Sequence, residues 1–161
     1  MKLLIKSGIA LLLLGSLATQ TANSQHCIGF HEKRCALEEP FEYDAQSKSA
    51  LFSPGHSSEL SMVAYRGKDY RISFCLDKNL GEQVEFQVLD SKSREVLYDN
   101  RDDDMSQEFK FTANSTQRII LKVTVPGEKE EQTKGSRKVS LSKMWCLGVL
   151  VERMNTPKLG F

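Results

Sequence analysis

The sequence has almost no excess charge and only three histidines, and no long apolar run follows its first 20 residues. Its 161 residues contain 22 Lys and Arg against 21 Asp and Glu, which gives a net charge of +1. Binding of a phosphate backbone needs a clear cationic excess, so the composition argues against a nucleic-acid partner. The ten glycines form no phosphate-binding loop. These absences leave a single mixed-charge domain of ordinary size.

The first 24 residues have the pattern of a secretory signal peptide. Lys2 and Lys6 precede an apolar run at 8–18, and Ala22 and Ser24 have the small-residue spacing that a signal peptidase accepts. The run is shorter than the ~20 residues of a spanning helix, although an uncleaved anchor is the alternative. We therefore expect cleavage after residue 24, a mature domain at 25–161 without a transmembrane span, and a periplasmic or extracellular location.

Four cysteines follow the predicted cleavage point. An even count in an exported chain predicts two disulfides, and three pairings are open. We favour a local bond within the N-terminal segment 25–48 and a long-range bond between two strand-like runs. Zinc is the rival interpretation, because His26 and His31 flank the first cysteine, but no CxxC pair is present. In sequence order the favoured bonds are Cys27–Cys35 and Cys75–Cys146.

Alternating apolar and polar residues recur from Ala50 onward. The longest stripe runs from Ile119 to Val125, and short turn-forming segments separate the runs. Such a pattern predicts an all-β domain, a single antiparallel β-sandwich of about seven or eight strands. Segment 27–39 is expected to form a short helix or a disulfide-pinned coil, and 126–138 an exposed, mobile loop. The predicted strands cover 59–65, 69–76, 83–89, 95–98, a run around 109–111, 119–125 and 145–151.

The run from Tyr65 to Asn100 resembles a known family. It contains Tyr-Arg-Gly-Lys-Asp-Tyr-Arg-Ile-Ser-Phe, then Val-Glu-Phe-Gln-Val-Leu-Asp and Val-Leu-Tyr-Asp-Asn. This order resembles the pre-peptidase C-terminal domains of secreted bacterial proteins, and the wider chain is similar to small exported bacterial β-sandwich proteins without an assigned role. The resemblance implies a jelly-roll-like accessory or binding module without an active site.

One acidic cluster is a candidate calcium site. Calcium prefers several oxygen ligands from one loop, and a loop at a sandwich edge can supply them. No EF-hand spacing is present, so a solvated turn is the simpler interpretation. A calcium site predicts that calcium raises the melting temperature. The candidate ligands are Asp99, Asp102, Asp103 and Asp104.

Aromatic residues and one histidine are the other candidates. Tyr65 and Tyr98 are candidate ligand-binding aromatics, whereas Tyr70 and Trp145 lie on apolar stripes and are expected in the core. His56 stands beside two serines, but without a nucleophile-elbow pattern. A hydrolase would need His56, a serine and a buried carboxylate in one cleft.

Together these features predict an exported, non-catalytic binding or accessory module of the bacterial cell envelope. Its partner would be a protein or a glycan of the envelope, bound by loops or by an unpaired strand edge. The alternative is a calcium-assisted carbohydrate-binding module. No other cofactor is expected, and the sequence does not identify the ligand.

Overall fold

The computed structural model describes residues 27–127 and 144–157, and this part of the chain is almost entirely β-structure. The predicted signal peptide and most of the predicted mobile loop lie outside the described residues. Within these two ranges no helix has the length and apolar character needed to cross a bilayer. The elements are α1 (Phe30–Arg34), β1 (Glu42–Tyr43), β2 (Lys48–Phe52), β3 (Ser57–Ala64), β4 (Lys68–Leu76), β5 (Glu85–Asp90), β6 (Val96–Asp99), β7 (Glu108–Ala113), β8 (Gln117–Thr124) and β9 (Trp145–Asn155), with single 3-10 turns at Lys78–Leu80 and Asn100–Asp102.

The nine strands form two antiparallel sheets. In the front sheet β9, β4 and β7 are neighbours in that order, and β2 and β1 pair one after the other with the free edge of β9. The back sheet has the order β3-β8-β5-β6. Strands β2 to β9 are therefore distributed between the sheets as in a double-sheet jelly roll. The prediction of an antiparallel, jelly-roll-like β-sandwich is confirmed.

The core lies between the inner faces of the two sheets, where the predicted apolar stripes meet. Tyr70 and Ile72 on β4 face Leu121 on β8, and all three are fully buried. The buried hydroxyl of Tyr70 has a partner within the protein, because it accepts a hydrogen bond from the backbone N–H of Tyr65 at 2.9 Å. Trp145 packs against this core but remains partly exposed. The core position predicted for Tyr70 is confirmed, whereas Trp145 lies at the margin of the core.

The sequence did not predict strand β2. Its residues Lys-Ser-Ala-Leu-Phe lack an apolar alternation, yet they pair with β9 from Lys48↔Val149 to Phe52↔Trp145. Only Phe52 is buried in the core. Helix α1 lies near the outward side of this strand, where Ser49 contacts it. The polar residue Ser49 is therefore partly buried by helix α1.

The favoured disulfide pairing was wrong. Cys27 bonds to Cys146 and Cys35 to Cys75, each with a Cα–Cα distance of 5.3 Å. Cys75 and Cys146 belong to the adjacent strands β4 and β9. Because residues 27–41 lie across the outer face of both strands, each N-terminal cysteine meets a strand cysteine. We call residues 27–41 the N-terminal strap.

Candidate functional site

The strap packs closely on the outer face of the front sheet, and a glycine makes this possible. Gly148 of β9 lies opposite Cys75 of β4. A Cβ atom at position 148 would lie 2.8 Å from Cys75 Sγ and 2.9 Å from the Cα of His31. Real Cβ atoms do not approach other heavy atoms so closely, so only glycine admits α1 at this distance.

His31 fastens α1 to two neighbouring strands. Its backbone N–H donates to Ser49 Oγ at 2.9 Å, and its ring Nδ1 lies 2.6 Å from the same oxygen. Ring atom Nε2 lies 3.1 Å from the hydroxyl of Tyr43, and the two rings are nearly parallel with centroids 6.0 Å apart. The side chain is buried. His31 therefore joins the strap to both β1 and β2.

These contacts leave an open pocket of about 380 Å³ between α1, β1 and β9. Leu150, which is buried on the outer face of β9, is its most enclosed wall. Leu37 and Tyr43 line its exposed side. This size falls within the range of small-ligand sites in proteins. Within the described part of the chain, the pocket is lined by His31, Glu32, Cys35, Leu37, Tyr43 and Leu150.

An ion-pair network fixes the part of the strap that contains Leu37. Arg71 of β4 donates through Nη1 to Glu152 and, at 3.2 Å, to the carbonyl of Ala36. Glu152 is fully buried and accepts the backbone N–H of Glu38 at 2.9 Å. The carbonyl before Leu37 and the amide after it are both held by the front sheet.

Glu108 completes this network at its more exposed side. It accepts from Arg71 Nε at 2.7 Å and lies 2.9 Å from Lys110 Nζ. Burial alone would raise the pKa of Glu108, but hydrogen bonds from Arg71 and Lys110 outweigh it and lower the pKa. The carboxylate therefore remains charged, as its partners require.

The structure places the predicted calcium ligands at the end of β6 and in the turn that follows it. The hydrogen-bonded guanidinium of Arg101 lowers the pKa of Asp99, which also accepts from Gln87 Nε2 at 2.7 Å. Asp103 accepts from the hydroxyl of Tyr98 at 2.7 Å. In 27–127 and 144–157 no three Asp, Glu, His or Cys side chains are grouped to hold a metal. The calcium site at Asp99, Asp102, Asp103 and Asp104 stays a prediction.

The two candidate aromatics are not brought together. Tyr65 follows β3 and Tyr98 lies in β6, the two opposite edges of the back sheet. Tyr65 is exposed, whereas Tyr98 stacks on Phe109 with centroids 4.1 Å apart. Burial and the hydrogen bond to Asp103 raise the pKa of Tyr98 to about 12. Tyr98 thus closes one end of the core, and a ligand-binding role for either aromatic stays a prediction.

The two described histidines, His31 and His56, have different surroundings. His56 packs its ring against Phe52 at a centroid distance of 5.0 Å, and no described carboxylate forms a hydrogen bond or ion pair with it. The neighbouring Ser57 is hydrogen-bonded to Thr124 at 2.8 Å. His26 lies outside the described residues, and His31 belongs to the pocket.

Most residues of the pocket gave no functional signal in the sequence. The sequence indicates His31 only as a possible zinc ligand, and it gives no functional signal for Leu37, Tyr43 or Leu150. One signal was present: Gly148 interrupts a strongly apolar strand, which indicates a bulge or a close backbone approach. That signal locates the approach but does not identify the segment that makes it.

Comparison with known proteins identifies no family. No protein-family model matches the chain, and no curated protein matches it in sequence. Among solved structures, the fold is similar to a crystal structure of Aeromonas hydrophila PliG, described as a periplasmic lysozyme inhibitor of g-type lysozyme. The identity is 9% and the TM-score 0.45, over 74% of this chain and 92% of that one. At this distance no role of a pocket residue is inferred from that protein.

Proposed function

We propose that the chain is an exported binding module whose pocket beside the strap receives an apolar side chain of a partner protein. The observation that supports it is an apolar pocket with exposed walls, built on an element fastened by both disulfides. Disulfides form and persist in oxidising compartments, which agrees with the export expected from residues 1–24. The mechanism is recognition by shape and burial, without a chemical step.

Half of the large exposed hydrophobic residues of the described chain lie on the strap or just after it. The described residues include six large exposed hydrophobics, and three of them, Ile28, Leu37 and Tyr43, lie on the strap or directly after it. Ile28 is 72% and Leu37 63% exposed. Exposed apolar groups that cluster beside a pocket are typical of interaction sites, whereas scattered ones are ordinary.

The strap is held rigidly before any partner arrives. His31 joins it to β1 and β2, Arg71 and Glu152 hold residues 36–38, and two disulfides bind it to β4 and β9. A site ordered in advance loses little conformational entropy on binding, so more of the contact energy appears as affinity. Covering the exposed part of Leu37 would contribute about 1–2 kcal/mol.

N-acetyl-leucine amide is a minimal probe of this function. In two-dimensional NMR, millimolar probe should shift the resonances of His31, Tyr43 and Leu150. Leu37→Ser should weaken the response about fivefold or more, because the apolar wall is lost.

The control is Leu97→Ser on β6, because Leu97 is also exposed, at 50%, but belongs to the opposite sheet. It should leave the response unchanged. Shifts confined to the back sheet, or a response that Leu37→Ser does not alter, would overturn the proposal.

A further inference from the structure

The charge at the pocket indicates the chemistry of the partner. Among the described residues that line the pocket, Glu32 is the only carboxylate, and its side chain is 61% exposed. The ring Nε2 of His31 lies 3.8 Å from Glu32 Oε1. No Lys or Arg of the described chain forms an ion pair with Glu32.

Two acidic residues that adjoin pocket residues in sequence, Glu38 and Asp44, already have cationic partners. Glu38 lies 3.0 Å from Arg71 Nε and 2.6 Å from Lys110 Nζ. Asp44 lies 3.3 Å from Arg153 Nε. These carboxylates are neutralised within the chain, so Glu32 is the one in the pocket wall that is left to attract a ligand cation.

The cations of α1 do not cancel this preference inside the pocket. Lys33 and Arg34 are exposed on the same helix, but neither lines the pocket. A ligand that enters the pocket therefore meets Leu37, Tyr43 and Leu150 as apolar walls and Glu32 as the charged one.

Resting on the function proposed above, we infer that the partner presents an apolar side chain directly beside a lysine or arginine. The apolar group occupies the pocket, and the neighbouring cation lies against Glu32. An acidic or uncharged loop of the same shape fills the pocket without this second contact. The site thus selects a basic, apolar segment of a protein.

The expected effect is modest because Glu32 is well exposed to water. Ion pairs at exposed positions change affinities by about two- to fivefold. Salt screens such pairs, since the Debye length falls from about 10 Å at 0.1 M to about 3 Å at 1 M ionic strength. The preference for a cation should therefore shrink in concentrated salt, while binding of the apolar group persists.

A matched series of capped dipeptides tests the inference: N-acetyl-Leu-Lys-amide, N-acetyl-Leu-Gln-amide and N-acetyl-Leu-Glu-amide. Dissociation constants come from NMR titrations of the oxidised protein. We expect the lysine peptide to bind about two- to fivefold more tightly than the glutamine peptide, and the glutamate peptide to bind most weakly. Glu32→Gln should abolish this ranking and retain binding that depends on Leu37.

Glu95→Gln is the control, because it removes the same charge from an exposed position between β5 and β6, in the opposite sheet. It should preserve the ranking. Equal affinities for the three peptides, or a ranking that survives Glu32→Gln, would overturn the inference and leave the pocket's apolar function intact. If no dipeptide shifts the resonances of the pocket residues, the proposed function is overturned instead. The same holds if only chito-oligosaccharides, added as a test of the carbohydrate-binding alternative, shift them.

Discussion

Substitution of Gly148 by alanine tests the link between fold and site, because one added carbon meets the strap. The new Cβ would lie 2.8 Å from Cys75 Sγ and 2.9 Å from His31 Cα, against about 3.5–4.0 Å for a relaxed contact. Both neighbours are fixed, one by a disulfide and one by backbone. The strap must therefore move by roughly 0.6–1 Å or the strand must distort.

The net cost follows from two opposing effects. Overpacking of a well-packed site costs about 1–3 kcal/mol. Gly148 is not in the left-handed region, so alanine restricts the unfolded chain and returns about 0.4–1 kcal/mol. We expect Gly148→Ala to lower the free energy of unfolding by about 1–2 kcal/mol, measured by urea denaturation of the oxidised protein with an unchanged m-value.

The decisive comparison repeats the substitution in a Cys35→Ala, Cys75→Ala background. Loss of Cys75 Sγ removes the shorter contact, and without the Cys35–Cys75 bond the strap around His31 can shift more easily away from the added carbon. The cost of Gly148→Ala should then fall below about 1 kcal/mol, since contacting groups give non-additive effects. An equal cost in both backgrounds, or stabilisation of the oxidised protein, would refute the close approach.

Three further outcomes follow from the same geometry. Glu152→Ala should lower the free energy of unfolding by about 3 kcal/mol in urea, because it leaves buried Arg71 short of a partner; an effect below about 1 kcal/mol would contradict this. The pKa of Asp99 is lowered in the folded state, so its stabilisation is present above its ordinary pKa and is lost as pH falls. Asp99→Asn should therefore flatten the acid limb of a stability-against-pH curve, and an unchanged limb would contradict the assignment. In graded reduction followed by alkylation and mass spectrometry, the partly exposed Cys35–Cys75 bond should open before the buried second disulfide, and the reverse order would disprove the prediction.

The alternation of apolar and polar residues predicted those strands in which every second side chain enters the core. On β8, Ile119, Leu121 and Val123 are buried as expected, and the sandwich follows from several such stripes. Strand β2 was not predicted because it is stabilised by pairing with β9 and by contact with α1. Both are tertiary contacts, which the local sequence does not indicate. A pattern of period two reports burial on one face, so it cannot detect a strand with only one core residue.

The disulfide pairing and the pocket could not be predicted from the sequence for a related reason. Pairing depends on which cysteines are close in space, and β4 and β9 become neighbours only in the folded sheet. A local bond between Cys27 and Cys35 is not formed because the strap lies across two strands, and each of its cysteines meets a cysteine of a different strand. Leu37 and Leu150 lie more than 100 positions apart, so no local spacing indicates that they share a wall.

The pocket depends on the strap, whereas the hydrophobic core between the sheets does not. The hydrophobic core between the sheets contains no residue of the strap, so the sandwich does not need the strap to bury its apolar faces. The pocket does need it, since His31, Glu32, Cys35 and Leu37 all belong to the strap. Opening both disulfides and releasing the strap would expose Arg71 and Glu152 to water, where both charges are solvated, and would leave the core between the sheets packed. Binding at this pocket should therefore require an oxidised strap even under conditions in which the sandwich itself remains folded.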